Sequence, residues 1–330
     1  MEELYMKQLF VGVDLGGTKI YTAIANKAGE ILNEIVVKTE AEKGHEQIVD
    51  KIKMSISHVL EGIDKADVKA IGIGSPGPLD IKNGLIAEPP NLPFKNYNIV
   101  KELKEEFDLP VYLDNDANAA TLAEFMFGSG FGTENMVYVT ASTGVGGGAI
   151  LNGKIYRGST ANALEVGHTT INVTGKRCGC GNRGCVEALS SGTAIKNAAV
   201  EAVKSNIKTS LKDYDEVTAK EVFDEAEKGD RVANEILDEA LSYLGILFAN
   251  LANSYDPDMI VLGGGVSNGG DIVFEKIAEE MNRRALKPIR EHCKIEKAKL
   301  GGRAGVLGAA ALAITELEHK NKKDGYIIYN

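Results

Sequence analysis

Tryptophan is missing from this 330-residue chain, and there are only four cysteines and eight prolines. No run of about 18 apolar residues occurs, so no membrane-spanning helix is predicted. The start, M-E-E-L-Y-M-K, has neither the basic opening nor the long apolar core of a secretion signal. A surplus of positive charge is also missing: 37 Lys and Arg face 47 Asp and Glu, a net charge of −10. Nucleic-acid surfaces must meet phosphates with Lys and Arg, so that class of partner is set aside. With free thiols expected, these absences point to the cytoplasm. The remainder is ordinary for a globular protein, at 44% apolar and 25% charged residues, on a chain long enough for two lobes with real cores. Glycine is the exception, at 37 residues, many in short clusters at the ends of predicted strands. Such clusters point to turns that cradle phosphate.

Three of the four cysteines fall in one stretch, Glu165 to Glu187, which reads E-V-G-H-T-T-I-N-V-T-G-K-R-C-G-C-G-N-R-G-C-V-E. Cys178, Cys180 and Cys185 with His168 make a set of thiolates and an imidazole that suits tetrahedral zinc. Gly179, Gly181 and Gly184 between the sulfurs let the backbone fold tightly around one ion. Four ligands and no open position read as a structural site. A disulfide is the first competing reading, but a C-x-C bridge is strained and leaves an odd thiol. An iron–sulfur cluster is the second, and it usually wants four thiolates. Glu165 and Glu187 flank the loop, so a zinc knot here would aim polar groups at a hydroxyl-rich ligand.

Apolar alternation predicts a three-stranded meander over residues 8–37. Its first turn, Asp14-Leu15-Gly16-Gly17-Thr18-Lys19, can be an anion nest or a plain hairpin turn. Asp14 suits hydrated Mg²⁺. The spacing is not that of a Walker A loop. An amphipathic helix is expected over 44–63 and a strand over 68–74, followed by the rigid Gly74-Ser75-Pro76-Gly77-Pro78 loop. After a short helix near 98–107, a strand at 110–113 runs into Asp114-Asn115-Asp116 and a helix to about residue 127. Open α/β sheets place their chemistry at such strand ends, which makes Asp116 a candidate base. It can equally be a helix N-cap, or Asp114 can cap and leave Asp116 solvated.

A second hairpin, strands 136–140 and 146–151, encloses Ser142-Thr143-Gly144-Val145-Gly146, a turn of the same style as the first. Two such turns suggest a duplicated fold that clamps a polyphosphate from both lobes. One helix is expected over 186–203, a charged stretch without a motif over 204–230, and a long apolar helix over 232–255 that could also meet a partner chain. A strand at 259–262 opens into Gly263-Gly264-Gly265, where a nucleotide could approach or the chain simply turns. A helix over 271–285, a strand over 295–300 and a small-residue helix from Ala304 complete the prediction.

Together D-L-G-G-T-K at Asp14, E-V-G-H at Glu165 and C-G-C-G-N-R-G-C-V-E at Cys178 resemble the ROK family of sugar kinases and sugar-responsive repressors, over nearly the whole chain. The resemblance implies an α/β, two-lobed actin/hexokinase-like (ribonuclease H-like) fold with duplicated βββαβαβα-type domains. The lobes would be residues 1–117, with a helix at about 304–330 packing back, and 118–303 with the zinc loop and a dimer surface. It implies zinc on His168, Cys178, Cys180 and Cys185. Sugar contacts would come from Asn91, Asn115, Asp116, Glu165, His168 and Glu187, with Asp116 as catalytic base. ATP would be held by Asp14, Gly16, Gly17, Thr18 and Lys19, by Thr143 and Gly144, and by Gly264 and Gly265, with Mg²⁺. The match is nearest to the family's glucokinases, which act on glucose at the 6-hydroxyl. Fructose, mannose, N-acetylglucosamine or N-acetylmannosamine are alternative acceptors, and a sugar-binding regulator is a further alternative. Only thirteen residues precede Asp14, too few for the helix-turn-helix of the repressors. A homodimer or homotetramer is implied.

Overall fold

The structure, a computed structural model, describes residues 7–323. Residues 1–6 and the tail 324–330, with Tyr326 and Tyr329, lie outside them. The chain forms two compact units, one of residues 1–131, 157–161 and 302–330, the other of 132–156 and 162–301.

The first unit opens with β1 (Leu9–Leu15), β2 (Lys19–Asn26) and β3 (Ile31–Lys38), an antiparallel meander. β1 is central and buried along nearly its whole length, whereas β3 alternates half-buried and exposed residues as an edge strand does. β4 (Val68–Ser75) pairs parallel with β1, and a parallel pair needs a crossover. Helix α1 (His45–Val59) is that crossover, burying Ile48, Ile52 and Ile56 at helical spacing. A small hairpin of β5 (Leu79–Asp80) and β6 (Leu85–Ile86) precedes α2 (Ile99–Phe107). β7 (Val111–Asn115) then pairs parallel with β4 and runs directly into α3 (Asp116–Phe127). The sheet order is β3-β2-β1-β4-β7.

The second unit repeats the plan. β8 (Met136–Ala141), β9 (Val145–Leu151) and β10 (Lys154–Ile155) form the meander. After the cysteine loop come α4 (Val186–Ser190), α5 (Gly192–Lys204), α6 (Ala219–Glu227) and α7 (Arg231–Tyr255). β11 (Met259–Gly263) pairs parallel with β8, followed by α8 (Asp271–Arg284), α9 (Lys287–His292) and β12 (Lys294–Lys297), parallel with β11. The order β10-β9-β8-β11-β12 matches that of the first sheet, strand for strand. The chain ends the described region with α10 (Ala304–Lys323), which belongs to the first unit.

Several expectations need correction. The single helix over 186–203 is broken at Ser191, which is extended (φ −71°, ψ 163°) and caps α5 by accepting Ala194 N–H at 3.0 Å. The stretch 204–230, expected as solvated helix or loop, does contain a helix, α6, started by a capping box between Thr218 and Glu221, but it buries Val222 and Ala226. The strand over 295–300 is shorter, Lys294–Lys297. A lobe boundary after residue 117 would cut α3 in its first turn, and the first unit instead runs to residue 131. The apolar stripe expected over 232–255 is, by contrast, present on α7, with Leu237, Leu241, Leu244 and Leu247 buried in its own unit's core. Among the described residues no helix is long and apolar enough to cross a membrane.

Helix α10 lies on the sheet more closely than side chains normally permit. Gly12 and Gly72 are cross-strand neighbours on β1 and β4. A Cβ on Gly12 would sit 2.2 Å from the Val306 carbonyl oxygen, and one on Gly72 would sit 1.8 Å from that of Ala309. Gly308 meets α3 as tightly, 2.0 Å from Ala119 O. Gly72→Ala is therefore expected to destabilise the protein by about 1–3 kcal/mol through overpacking. Gly302→Ala, at an open position, should stay within about 0.5 kcal/mol. Equal urea midpoints for the two variants would show that the close approach is not needed.

Candidate active site

In the first unit the β7–α3 junction separates three neighbouring polar residues into three roles. Asp114 is fully buried. Its Oδ1 accepts from Asn115 N–H at 2.7 Å and Asn118 Nδ2 at 2.9 Å, and its Oδ2 accepts from Arg157 Nε at 2.6 Å. Arg157 also reaches Glu316 of α10 at 2.7 Å. Asn115 is the N-cap, accepting Ala117 N–H at 2.9 Å. Asp116, the first residue of α3, needs neither job. Its side chain stays open to solvent, its Oδ1 accepting from Ala117 N–H at 2.8 Å and its carboxylate meeting only local groups, Asn115 among them. Protein crowding around it still pushes its carboxyl above the usual range, chiefly through lost hydration.

Asp14, at the end of β1, lies against the start of α10, where a Cβ on Gly305 would be 2.4 Å from its Oδ2. Burial first, and the Asp116 charge second, push its carboxyl up to about 6, against the pull of Lys19. The Gly16–Lys19 turn is closed by Gly16 N–H donating to Lys19 O at 2.9 Å. Thr18 and Lys19 are exposed, with the Lys19 amine 5.6 Å from the Tyr21 ring centroid. Asn91 packs over this turn, its Cβ 3.3 Å from where a Cβ on Gly17 would stand. Phe94, by contrast, is core, packed with His45 and Tyr97.

In the second unit the ligand atoms of His168, Cys178, Cys180 and Cys185 lie within 4.8 Å of one another. Cys180 Sγ and Cys185 Sγ are 3.7 Å apart, as are Cys178 Sγ and His168 Nδ1. Tetrahedral zinc bonds of 2.3 Å to sulfur and about 2.1 Å to nitrogen require edges of about 3.6–3.8 Å, so the set fits the ion. None of the cysteines is in a disulfide. Burial, reinforced by the neighbouring thiols, pushes the Cys185 thiol up to about 12, and a bound dication would reverse that. Gly181 and Gly184 adopt positive φ, and a Cβ on Gly184 would stand 1.6 Å from Asn172 O. Gly179 needs no such freedom. Glu165 is exposed just before the short Val166–His168 turn. Glu187 lies on α4 and turns toward the β8–β9 connection, its Oε2 accepting Val145 N–H at 3.1 Å.

That connection, Ser142–Gly144, borders a cavity of about 530 Å³ within the same unit. Such a volume suits a nucleotide-sized ligand. Ser142 and Thr143 form one side, Gly192 and Thr193 at the start of α5 another, and Phe223 of α6 and Val266 give apolar cover. Gly265 lines it too, whereas Gly264, at φ +84°, is pressed against Ala141 O and serves the turn.

The ROK family model matches residues 10–316. The chain belongs to the ROK family. It is 39% identical to a glucokinase from Halalkalibacterium halodurans over 92% of this chain and 94% of that protein. A crystal structure of a ROK family glucokinase from Streptomyces griseus, in complex with glucose and AMPPNP, superposes with a TM-score of 0.76 at 35% identity, covering 93% of this chain and 99% of that one. Membership does not imply one activity: a xylose repressor from Caldicellulosiruptor bescii is 33% identical over 93% of this chain and 78% of its own length. The fold is the two-lobed actin/hexokinase-like fold of the ROK sugar kinases.

Nothing in the sequence marked Arg157 as the partner of Asp114, or Lys196, Thr218, Lys220 and Phe223 as residues lining the cavity. Arg157 sits far from Asp114 in sequence and carries no motif. The others line the cavity from α5 and α6. Their one local signal was the T-x-x-E capping box at Thr218, which announces a helix and not a ligand. Protein purified without added metal should carry about one zinc per chain by elemental analysis. Cys185→Ala should lower that content and the thermal midpoint together. A well-folded wild-type protein without metal would remove zinc's structural role.

Proposed function

We propose that this chain is an ATP-dependent glucokinase, transferring the γ-phosphate of ATP to the 6-hydroxyl of glucose. The observation that carries the reading is the freedom of Asp116. Asp114 is held by the Arg157 ion pair and Asn115 caps α3, while Asp116 is bound only by local groups at the helix start, leaving a crowded carboxylate open to solvent there in a family of sugar kinases. The same observation favours the enzyme over a sugar-binding regulator, which has no use for a base there. The similar glucokinases favour glucose over other hexoses.

Phosphoryl transfer depends on positioning and charge neutralisation. Asp116 takes the proton from the attacking hydroxyl as the O–P bond forms and the bond to ADP breaks. Asn91, Asn115, Glu165, His168 and Glu187 serve sugar hydroxyls. Nδ1 of His168 faces the sulfurs, so Nε2 is the nitrogen left for a ligand. The donors of Gly16, Gly17, Thr18 and Lys19, and those of Thr143 and Gly144, serve phosphate oxygens. Gly264 and Gly265 shape the nucleotide side. Mg²⁺ would supply charge neutralisation between the β- and γ-phosphates, and Asp14 is the oxygen donor suited to its water shell. A reducing compartment such as the cytoplasm suits a centre built of thiolates. We assign a homodimer or homotetramer by family likeness alone.

An ATP-consumption assay over a panel of hexoses should give its highest kcat/KM with glucose. Asp116→Asn should lower kcat about 10²–10⁴-fold while glucose affinity changes little. Near-normal turnover in that variant would sink the base assignment. The pH profile is a separate check. Asp14 and Asp116 must both be ionised, and both hold their protons to higher pH than free carboxylates. The acid limb of kcat/KM should therefore fall as pH drops through about 6. A limb near 4 would mean that neither carboxyl is perturbed in the working enzyme.

A further inference from the structure

The helix that carries Glu187 begins on a zinc ligand. Cys185 is the N-cap of α4, and Glu187 is the helix's second residue. Its carboxylate joins the cysteine loop to the β8–β9 turn, Oε1 accepting from Cys178 Sγ at 3.9 Å and Oε2 accepting Val145 N–H at 3.1 Å. The turn is shaped around it. A Cβ on Gly144 would stand 2.4 Å from that same Oε2. The E-V-G-H segment supports the turn's exit, since a Cβ on Gly167 would stand 2.0 Å from Val145 O. Behind the turn, Gly192 N–H donates to Ser142 O at 2.7 Å. Three supports thus converge on residues 142–145, and two of them belong to the Glu165–Glu187 segment that carries the candidate metal ligands.

We propose that Glu187 is a positioning residue for the nucleotide turn, and that through Cys185 and Glu187 the zinc loop sets the shape of Ser142–Gly144. This goes beyond a sugar contact for Glu187, and its ligand arm rests on the reading of the 530 Å³ cavity as the nucleotide site. A backbone N–H that loses a charged acceptor in a part-buried turn loses more than an ordinary hydrogen bond. The turn then samples other shapes, and those that offer Thr143 to a phosphate become rarer. Loss of the metal acts by the same route, because it frees the N-cap of α4.

The test needs no activity. In ligand-free protein, amide exchange in the peptide holding Val145 should quicken at least tenfold in Glu187→Ala. Glu187→Gln, which keeps an oxygen acceptor, should restore most of the protection. Chelation of the wild type should reproduce the Ala behaviour at Val145. ADP titrated without sugar should bind about tenfold more weakly to Glu187→Ala than to the wild type, with the Gln variant between them. Should Glu187→Ala fail to fold, Gly144→Ala, which pushes the carboxylate aside, provides the same comparison in a chain with all zinc ligands intact. Unchanged exchange at Val145 in whichever variant folds overturns the proposal. So does unchanged ADP affinity accompanied by weakened glucose binding, which would make Glu187 a sugar ligand only. A wild type that binds no ADP at all would instead undo the kinase reading, and the exchange comparison would still decide the role of Glu187.

Discussion

Much of the first unit depends on a missing methyl group. Gly12 and Gly72 stand side by side on β1 and β4, and their bare backbone lets α10 settle onto the sheet at carbonyl-contact distance. Van der Waals attraction falls steeply with separation, so this approach gives α10 contacts that a more distant helix would lose. The same helix offers Gly305 to Asp14 and Gly308 to α3. Two acids, one at the end of β1 and one at the start of α3, therefore take their places from a single packing surface. Glu316 on the same helix completes the ion network through Arg157 that occupies Asp114. A buried carboxylate without partners is costly, and Arg157 and Asn118 make Asp114 tolerable there.

The second unit solves the same problem by another means. The segment from Thr169 to Arg183 is largely exposed and offers few apolar side chains to bury. Chain entropy opposes a fixed shape for such a loop, at roughly 1–2 kcal/mol per residue. Two positive-φ glycines permit the fold, but permission is not stability. The cluster of one imidazole and three sulfurs offers the loop energy on that scale, since a structural zinc bound there would contribute on the order of 10 kcal/mol. A metal held by that cluster would fix the loop's geometry by coordination, where the first unit uses close packing.

The sequence revealed different parts of the molecule to different degrees, and the reasons are physical. Both meanders, both hairpin turns and the four metal ligands are local, and local patterns of alternation, glycine and cysteine announced them. Ser191 was harder. It sits between two stretches of good helix formers, and only the capping of Ala194 N–H by its hydroxyl shows why the chain breaks there. The roles of Asp114, Asn115 and Asp116 were not separable from their order alone. Any of the three can cap a helix, and the choice is made by Arg157, 43 residues away. Phe223 and Lys220 were invisible for a related reason. A charged amphipathic helix looks the same whether its exposed side meets water or a ligand, and only tertiary placement decides. The glycine lane lay in plain view as Gly12 and Gly72, yet nothing local says which strand glycines face a helix.

The two turns that repeat in this chain share a backbone plan but not a means of support. The Gly16–Lys19 turn closes on itself through Gly16 N–H and Lys19 O and is braced by Thr39, whose side chain donates to Gly16 O at 2.7 Å. The Ser142–Gly144 turn closes through Ser142 N–H and Gly144 O, but its bracing comes from Glu187 and Gly192, on helices that follow the cysteine loop. One is held by its own sheet, the other by helices that follow the candidate metal loop. Duplication of a fold therefore does not duplicate its weak points. Conditions that strip metal should act first on the second turn and leave the carboxylates of the first unit where α10 seats them. The division follows from where the glycines and the sulfurs lie along the chain.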